Sequence, residues 1–127
     1  MRWLLVLAFT GLAGAAQADP CEGLLPGKGA TFSGIVRYVV DGDGFCVSDD
    51  KDPKTWVEVR LPDFNAPELS AKGGPEAKNA LGDIAIGRRA VCIAGRKSYD
   101  RVVASCKIGG IPIRALMLEQ GISEGGN

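Results

Sequence analysis

The chain has 127 residues, 15 basic and 15 acidic side chains and no histidine, a length that suits one small domain. The balanced charge excludes a bulk basic field for holding nucleic acid, so any phosphate binding must come from a local cluster. The lack of histidine excludes Ser-His-Asp and Cys-His catalysis and histidine-ligated metals.

The chain opens on Met1-Arg2, an apolar run from Trp3 to about Ala16, and Ala16-Gln17-Ala18. A short apolar run before an A-x-A pattern predicts a secretory signal peptide over residues 1–18. The run is too short to span a bilayer comfortably. A periplasmic or secreted protein is expected, with no membrane association once the peptide is cleaved. Without Arg2, the acidic residues lead the basic ones by one.

Residues 19–31 are rich in Gly, Pro and small polar residues and read as an irregular lead-in. Phe32–Val40 reads as a strand with Phe32, Gly34, Val36, Tyr38 and Val40 on one face. Asp41-Gly42-Asp43-Gly44 is a turn, and Phe45–Ser48 returns as the second strand of a hairpin. Asp49–Lys54 is a polar loop. In the third strand, Trp56–Leu61, the aliphatics Val57, Val59 and Leu61 alternate with Glu58 and Arg60, which places Arg60 opposite the core-facing side chains. Pro62 ends regular pairing because it has no N–H.

Ser70–Gly74 is a loop. Pro75-Glu76-Ala77 opens a helix, with proline in the first turn and an acid beside it. Ala77, Ala80, Leu81, Ile84 and Ala85 follow at helical spacing, Gly82 weakens the helix and Gly87 ends it. Arg89–Ala94 is a fourth strand, Gly95–Asp100 a loop and Arg101–Ile108 a fifth strand. Gly109-Gly110 turns the chain into a short helix, Ile113–Gln120, with Leu116, Met117 and Gln120 at helical spacing, ended by Gly121. Three strands, a helix, two strands and a helix suit a small Greek-key barrel of the oligonucleotide/oligosaccharide-binding (OB) type.

Cys21, Cys46, Cys92 and Cys106 all follow the signal segment. An even count in a small secreted chain predicts disulfides, and four cysteines allow three pairings. Cys92 and Cys106 lie on sequential strands expected to be neighbours, leaving Cys21 to tie the lead-in to Cys46. Facing directions in the fourth strand are fixed by the pattern only to within one residue.

Three clusters carry chemistry: Asp41-Gly42-Asp43-Gly44, the segment from Arg60 to Glu68, and Ser98-Tyr99-Asp100-Arg101. A DGDG turn alone is what any tight turn uses, and an arginine entering a strand is commonly a solvated edge residue. The inventory says more. Carboxylates and carbonyls suit a hard cation, two arginines can clamp phosphate oxygens, and a glutamate remains for proton transfer. A phosphodiesterase needs little else.

From about Thr31 to Glu124 the chain resembles the staphylococcal nuclease (thermonuclease) family. The resemblance rests on Val39-Val40-Asp41-Gly42-Asp43-Gly44, Arg60-Leu61-Pro62-Asp63-Phe64-Asn65-Ala66-Pro67-Glu68, Gly74-Pro75-Glu76-Ala77 and Tyr99-Asp100-Arg101, in the family's order. It implies an α+β domain over residues 32–127, mainly β with helices, built on a five-stranded OB-fold barrel and lacking the family's C-terminal third helix. It also implies a calcium-assisted nuclease. Asp43 falls on a calcium carboxylate, Asp41 on its supporting carboxylate and the Ala66 carbonyl on a further ligand. Arg60 and Arg101 fall on the phosphate-contacting arginines, Glu68 on the general base and Tyr99 on a tyrosine near the bound nucleotide. The expected partner is single-stranded or flexible DNA or RNA, and the expected state a monomer.

The chain departs from the pattern in three places. Asn65 stands where a second calcium aspartate is expected, Gly44 replaces a threonine and Ser98 a lysine that helps hold substrate. Losing one ligand charge predicts weak Ca²⁺ binding, about millimolar to sub-millimolar. The alternative expectation is a nuclease-like binding or structural module with weakened or absent catalysis.

Overall fold

The computed structural model describes residues 19–125; the predicted signal peptide lies outside the described residues. Five strands close into a barrel: β1 (Thr31–Asp41), β2 (Gly44–Ser48), β3 (Val57–Arg60), β4 (Arg89–Ser98) and β5 (Arg101–Ile108). The order is β3-β2-β1-β4-β5, and parallel pairing of β3 with β5 through Val59–Val102 and Arg60–Val103 closes the ring. A two-residue strand, β6 (Ile111–Pro112), pairs with β5 outside the ring. Helix α1 (Gly74–Ala85) crosses between β3 and β4, and α2 (Ile113–Glu119) follows β6. This is a mainly β, OB-like α+β fold. Among the described residues, no helix is long and apolar enough to cross a membrane.

The core forms where the inward faces of the barrel meet α1. Phe45, Val59, Leu61, Phe64, Val102 and Leu81 are fully buried there. α1 contributes Ala77, Leu81, Ile84 and Ala85, with Ala80 packed at the edge. Ile86 caps the helix and Gly87 follows at φ 77°, the left-handed position that favours glycine. The buried side of α2 is Ile113 and Met117, with Leu116 half-buried. Gln120, expected on that stripe, is instead the exposed C-cap.

β1 corrects the predicted alternation. Val36 and Val39 both face inward, whereas Tyr38 is 36% exposed. The register with β2 shifts between Val36 and Tyr38. An extra residue in one strand exchanges the two faces beyond it and sharpens the twist, which lets β1 pair with β2 at one end and β4 at the other.

β4 also exceeds its expected length. Instead of ending at Ala94 and giving way to a loop over Gly95–Asp100, it continues to Ser98 and turns tightly through Tyr99-Asp100. The register shifts between Ala94 and Lys97. Gly95 is required there, because a Cβ would stand 2.7 Å from the Val103 carbonyl oxygen.

Both disulfides form as expected. Cys92 and Cys106 are direct cross-strand partners on β4 and β5. Cys21–Cys46 ties the lead-in to β2. The lead-in is irregular but anchored, with Gly23 N donating to the Trp56 carbonyl at 2.7 Å and Gly29 N to the Ala94 carbonyl at 2.8 Å. It covers an outer patch of the barrel, so Glu58, expected on the exposed side of β3, is only 3% exposed. Two disulfides fit an oxidising compartment, extracellular or periplasmic.

Candidate active site

The β1–β2 turn builds the first part of the site. Asp41 Oδ1 accepts the Asp43 backbone N–H at 3.2 Å, an Asx turn that fixes the tight return. This aims Asp43 into the end of the barrel, where it is 6% exposed. Its Oδ2 accepts the Ala66 N–H at 2.9 Å and lies 3.4 Å from Arg60 Nη2. Its backbone carbonyl accepts Leu61 N–H at 2.8 Å. Gly42 makes the approach possible: a Cβ there would stand 2.6 Å from the Cβ atoms of both Ala66 and Ala77. Burial, and after it the Asp41 carboxylate, push the Asp43 carboxyl up to about 7; Arg60 and the Ala66 N–H pull the other way.

The end of β3 builds the second part. The Arg60 guanidinium caps the segment that follows it, donating from Nη1 to the Leu61 carbonyl and, at 3.3 Å, to the Phe64 carbonyl. Its Nη2 donates to Asn65 Oδ1 at 3.1 Å. Asn65 Nδ2 donates to the Gly125 carbonyl at 2.9 Å, and Gly125 N–H returns a bond to the Asn65 carbonyl at 2.8 Å. Arg60 thus bridges Asp43 and Asn65, two of the expected cation ligands.

Closure of the barrel brings in the third part. Because β3 runs parallel to β5, Arg60 and Arg101 line one concave space of about 350 Å³ with Leu61, Pro62, Arg96, Ser98 and Val103. Sequence reasoning passed over Arg96, which sits at the register shift of β4. The run Gly95-Arg96-Lys97 beside Arg101 was the available signal. Three guanidinium groups on one wall make a local cationic surface in a chain with no net charge.

Two predicted residues stand apart from this wall. Glu68 is exposed on the loop after Pro67 and lines a separate groove of about 650 Å³ with Lys72, Glu76, Ser123 and Glu124. Tyr99 is 97% exposed at the tip of the β4–β5 hairpin, with φ 59°. Asp41, Asp43 and Ala66 come together at the turn, Ala66 through its N–H, and Asn65 reaches them across the Arg60 guanidinium. Their donor types fit a hard cation: two carboxylates close enough to raise the proton affinity of one of them, and neutral oxygens. A cation there would compete with Arg60 for Asp43 Oδ2 and Asn65 Oδ1.

A scan against models of known protein families finds no match for this chain. A search of curated proteins finds none either. What fold and site define is a disulfide-bonded OB-like barrel whose rim carries an arginine wall beside a carboxylate pair of which one member, Asp43, is buried.

Proposed function

We propose that the chain is a secreted nuclease of the staphylococcal nuclease type, hydrolysing phosphodiester bonds of single-stranded or flexible DNA or RNA with calcium assistance. The observation that carries the reading is Arg60 and Arg101 on one concave wall, with Arg60 also touching Asp43. Charge that builds on phosphoryl oxygens calls for such preorganised donors, and a planar fork meets two oxygens at once. Asp43, Asp41, Asn65 and the Ala66 carbonyl would hold the cation. When bound, it supplies positive charge beside the phosphate and acidifies a water molecule. Arg60 and Arg101 hold the phosphate oxygens; the resemblance assigns the proton of the attacking water to Glu68, which lies outside that wall on the loop after Pro67, and a nucleotide contact to Tyr99 at the hairpin tip. The A-x-A pattern and the two disulfides support secretion.

One observation favours a second reading, a module that binds without turnover. Arg60 is spent on Asp43, Asn65 and two carbonyls, and Asn65 is spent on Gly125. The two readings separate when the purified chain is incubated with a labelled single-stranded oligonucleotide in Ca²⁺ or in chelator. The nuclease reading expects cleavage in Ca²⁺ and none in chelator. Intact oligonucleotide in both, retained by the protein, favours the binding module.

A further inference from the structure

Away from the arginine wall, the cover of the barrel brings three carboxylates together. Glu58 pairs across the sheet with Cys46, and Cys46 is bonded to Cys21. That bridge draws the lead-in over Glu58. Asp19 is held there because its Oδ1 accepts the Cys21 N–H at 3.1 Å. Asp100 arrives from the other side, in the turn that feeds β5 beside β3. One carboxylate oxygen from each of Asp19, Glu58 and Asp100 lies within 4.8 Å of the others. An acidic cluster on a surface is ordinary. Here, however, Glu58 is 3% exposed and its Oε2 is fully buried with no hydrogen-bond partner. A buried oxygen without a donor is costly, and more so when ionised.

We propose that Asp19, Glu58 and Asp100 form a second cation site, one that takes a hard divalent ion such as Ca²⁺ and clamps the lead-in to β3 and the β4–β5 turn. Ca²⁺ binds oxygens at about 2.3–2.6 Å, so two ligands on opposite sides of it stand about 4.6–5.2 Å apart. The three oxygens, none more than 4.8 Å from another, are close enough to share one such ion. The donor set is all carboxylate, which selects hard cations over thiophilic ones. Arg101 is the cationic group near Glu58 that favours its charged form, and it offsets the burial and the neighbouring acids only in part: the Glu58 carboxyl is pushed up to about 8, by burial first, then by a hydrogen bond that its protonated form shares with Asp19, then by the charges of Asp19 and Asp100. The sulfurs of Cys21 and Cys46, close to Asp19, are spent in their disulfide and are not ligands.

The site is distinct from the one proposed at Asp41 and Asp43, and the test keeps them apart. CaCl₂ is titrated calorimetrically at pH 7.5 into the wild-type chain and into Asp43→Asn, Asp100→Asn and Glu58→Gln, with thermal midpoints followed in parallel. Asp43→Asn is expected to keep one Ca²⁺ per chain and a Ca²⁺-dependent rise in midpoint. In Glu58→Gln and Asp100→Asn, binding at the second site is expected to weaken at least tenfold. Asp100 is exposed in a turn, so its variant decides the matter even if Glu58→Gln fails to fold. Loss of all binding in folded Asp43→Asn, or binding at full affinity in Asp100→Asn, overturns the proposal. Failure of the nuclease reading leaves these outcomes unaffected, because no step of the test reads cleavage.

Discussion

Arg60 and Arg96 divide the work of the arginine wall. Arg60 makes four contacts of different direction, to Asp43, Asn65, Leu61 and Phe64. Lysine lacks the planar fork and cannot reproduce them. Arg96 lines the same space but has no such ties among the described residues, so its role is electrostatic. Arg96→Ala is therefore expected to weaken oligonucleotide binding and to lower the slope of log affinity against log salt by about 0.7, the loss of one phosphate contact on a single strand. Binding titrations in chelator over a series of salt concentrations measure this; an unchanged slope removes Arg96 from the interface. At this scale the sequence was readable for Arg60 and Asp43, whose neighbours in the chain carry them to the barrel rim. It was not readable for Arg96. A strand with unbroken alternation would have ended before it or turned it elsewhere, and only the register shift brings it beside Arg101.

The elements that depart from the expected pattern do so for three physical reasons: a close backbone approach, a bulge and a covering segment. Gly95 looks like a strand breaker, yet it lets β4 pass the Val103 carbonyl and run on to Ser98. Alternation places Tyr38 on the same face as Val36, because a period of two carries no sign of a bulge. Glu58 was placed on a solvent face because alternation assumes an open side, whereas the disulfide-tethered lead-in covers it. The order of strands and helices, both disulfides and the glycine stop of α1 were legible, since hydrophobic period, strand adjacency and left-handed glycine are local properties. The β1–β2 turn gives this scale its prediction. Gly42→Ala inserts a methyl against Ala66 and Ala77, where the helix and the loop already touch. Overpacking of this kind costs about 1–3 kcal/mol, read as a lower denaturant midpoint. The same methyl is expected to push Asp43 away from the Ala66 N–H. An Ala variant as stable as the wild type contradicts the close approach.

The whole molecule carries two carboxyls whose proton affinity is raised by folding, Asp43 to about 7 and Glu58 to about 8, from ordinary values of 3.8 and 4.5. Burial is the leading cause in both. Asp41 faces Asp43 with Arg60 opposing, and Asp19 and Asp100 face Glu58 with Arg101 opposing. The folded chain then holds protons that the unfolded chain releases between about pH 4 and pH 8. Stability from these groups is full below the unfolded values and declines as pH rises through the folded ones. In chelator, the thermal midpoint is expected to fall from pH 5 to pH 8, and Glu58→Gln to flatten part of the fall. A midpoint that rises over this range contradicts the buried, uncompensated state of both groups. The barrel itself is a scaffold that unrelated activities use, so the claim of function stands on Arg60 and Arg101 at the wall and on Glu68 in its separate groove. Single-turnover cleavage of a labelled oligonucleotide in Ca²⁺, by wild type and by Arg60→Lys, Arg101→Lys and Glu68→Gln, tests that claim most directly. Each arginine variant is expected to lose roughly 100-fold or more in rate with a much smaller change in affinity, and Glu68→Gln to flatten the acid limb of the pH–rate profile. Wild-type cleavage that survives all three substitutions would contradict it and place the chemistry elsewhere.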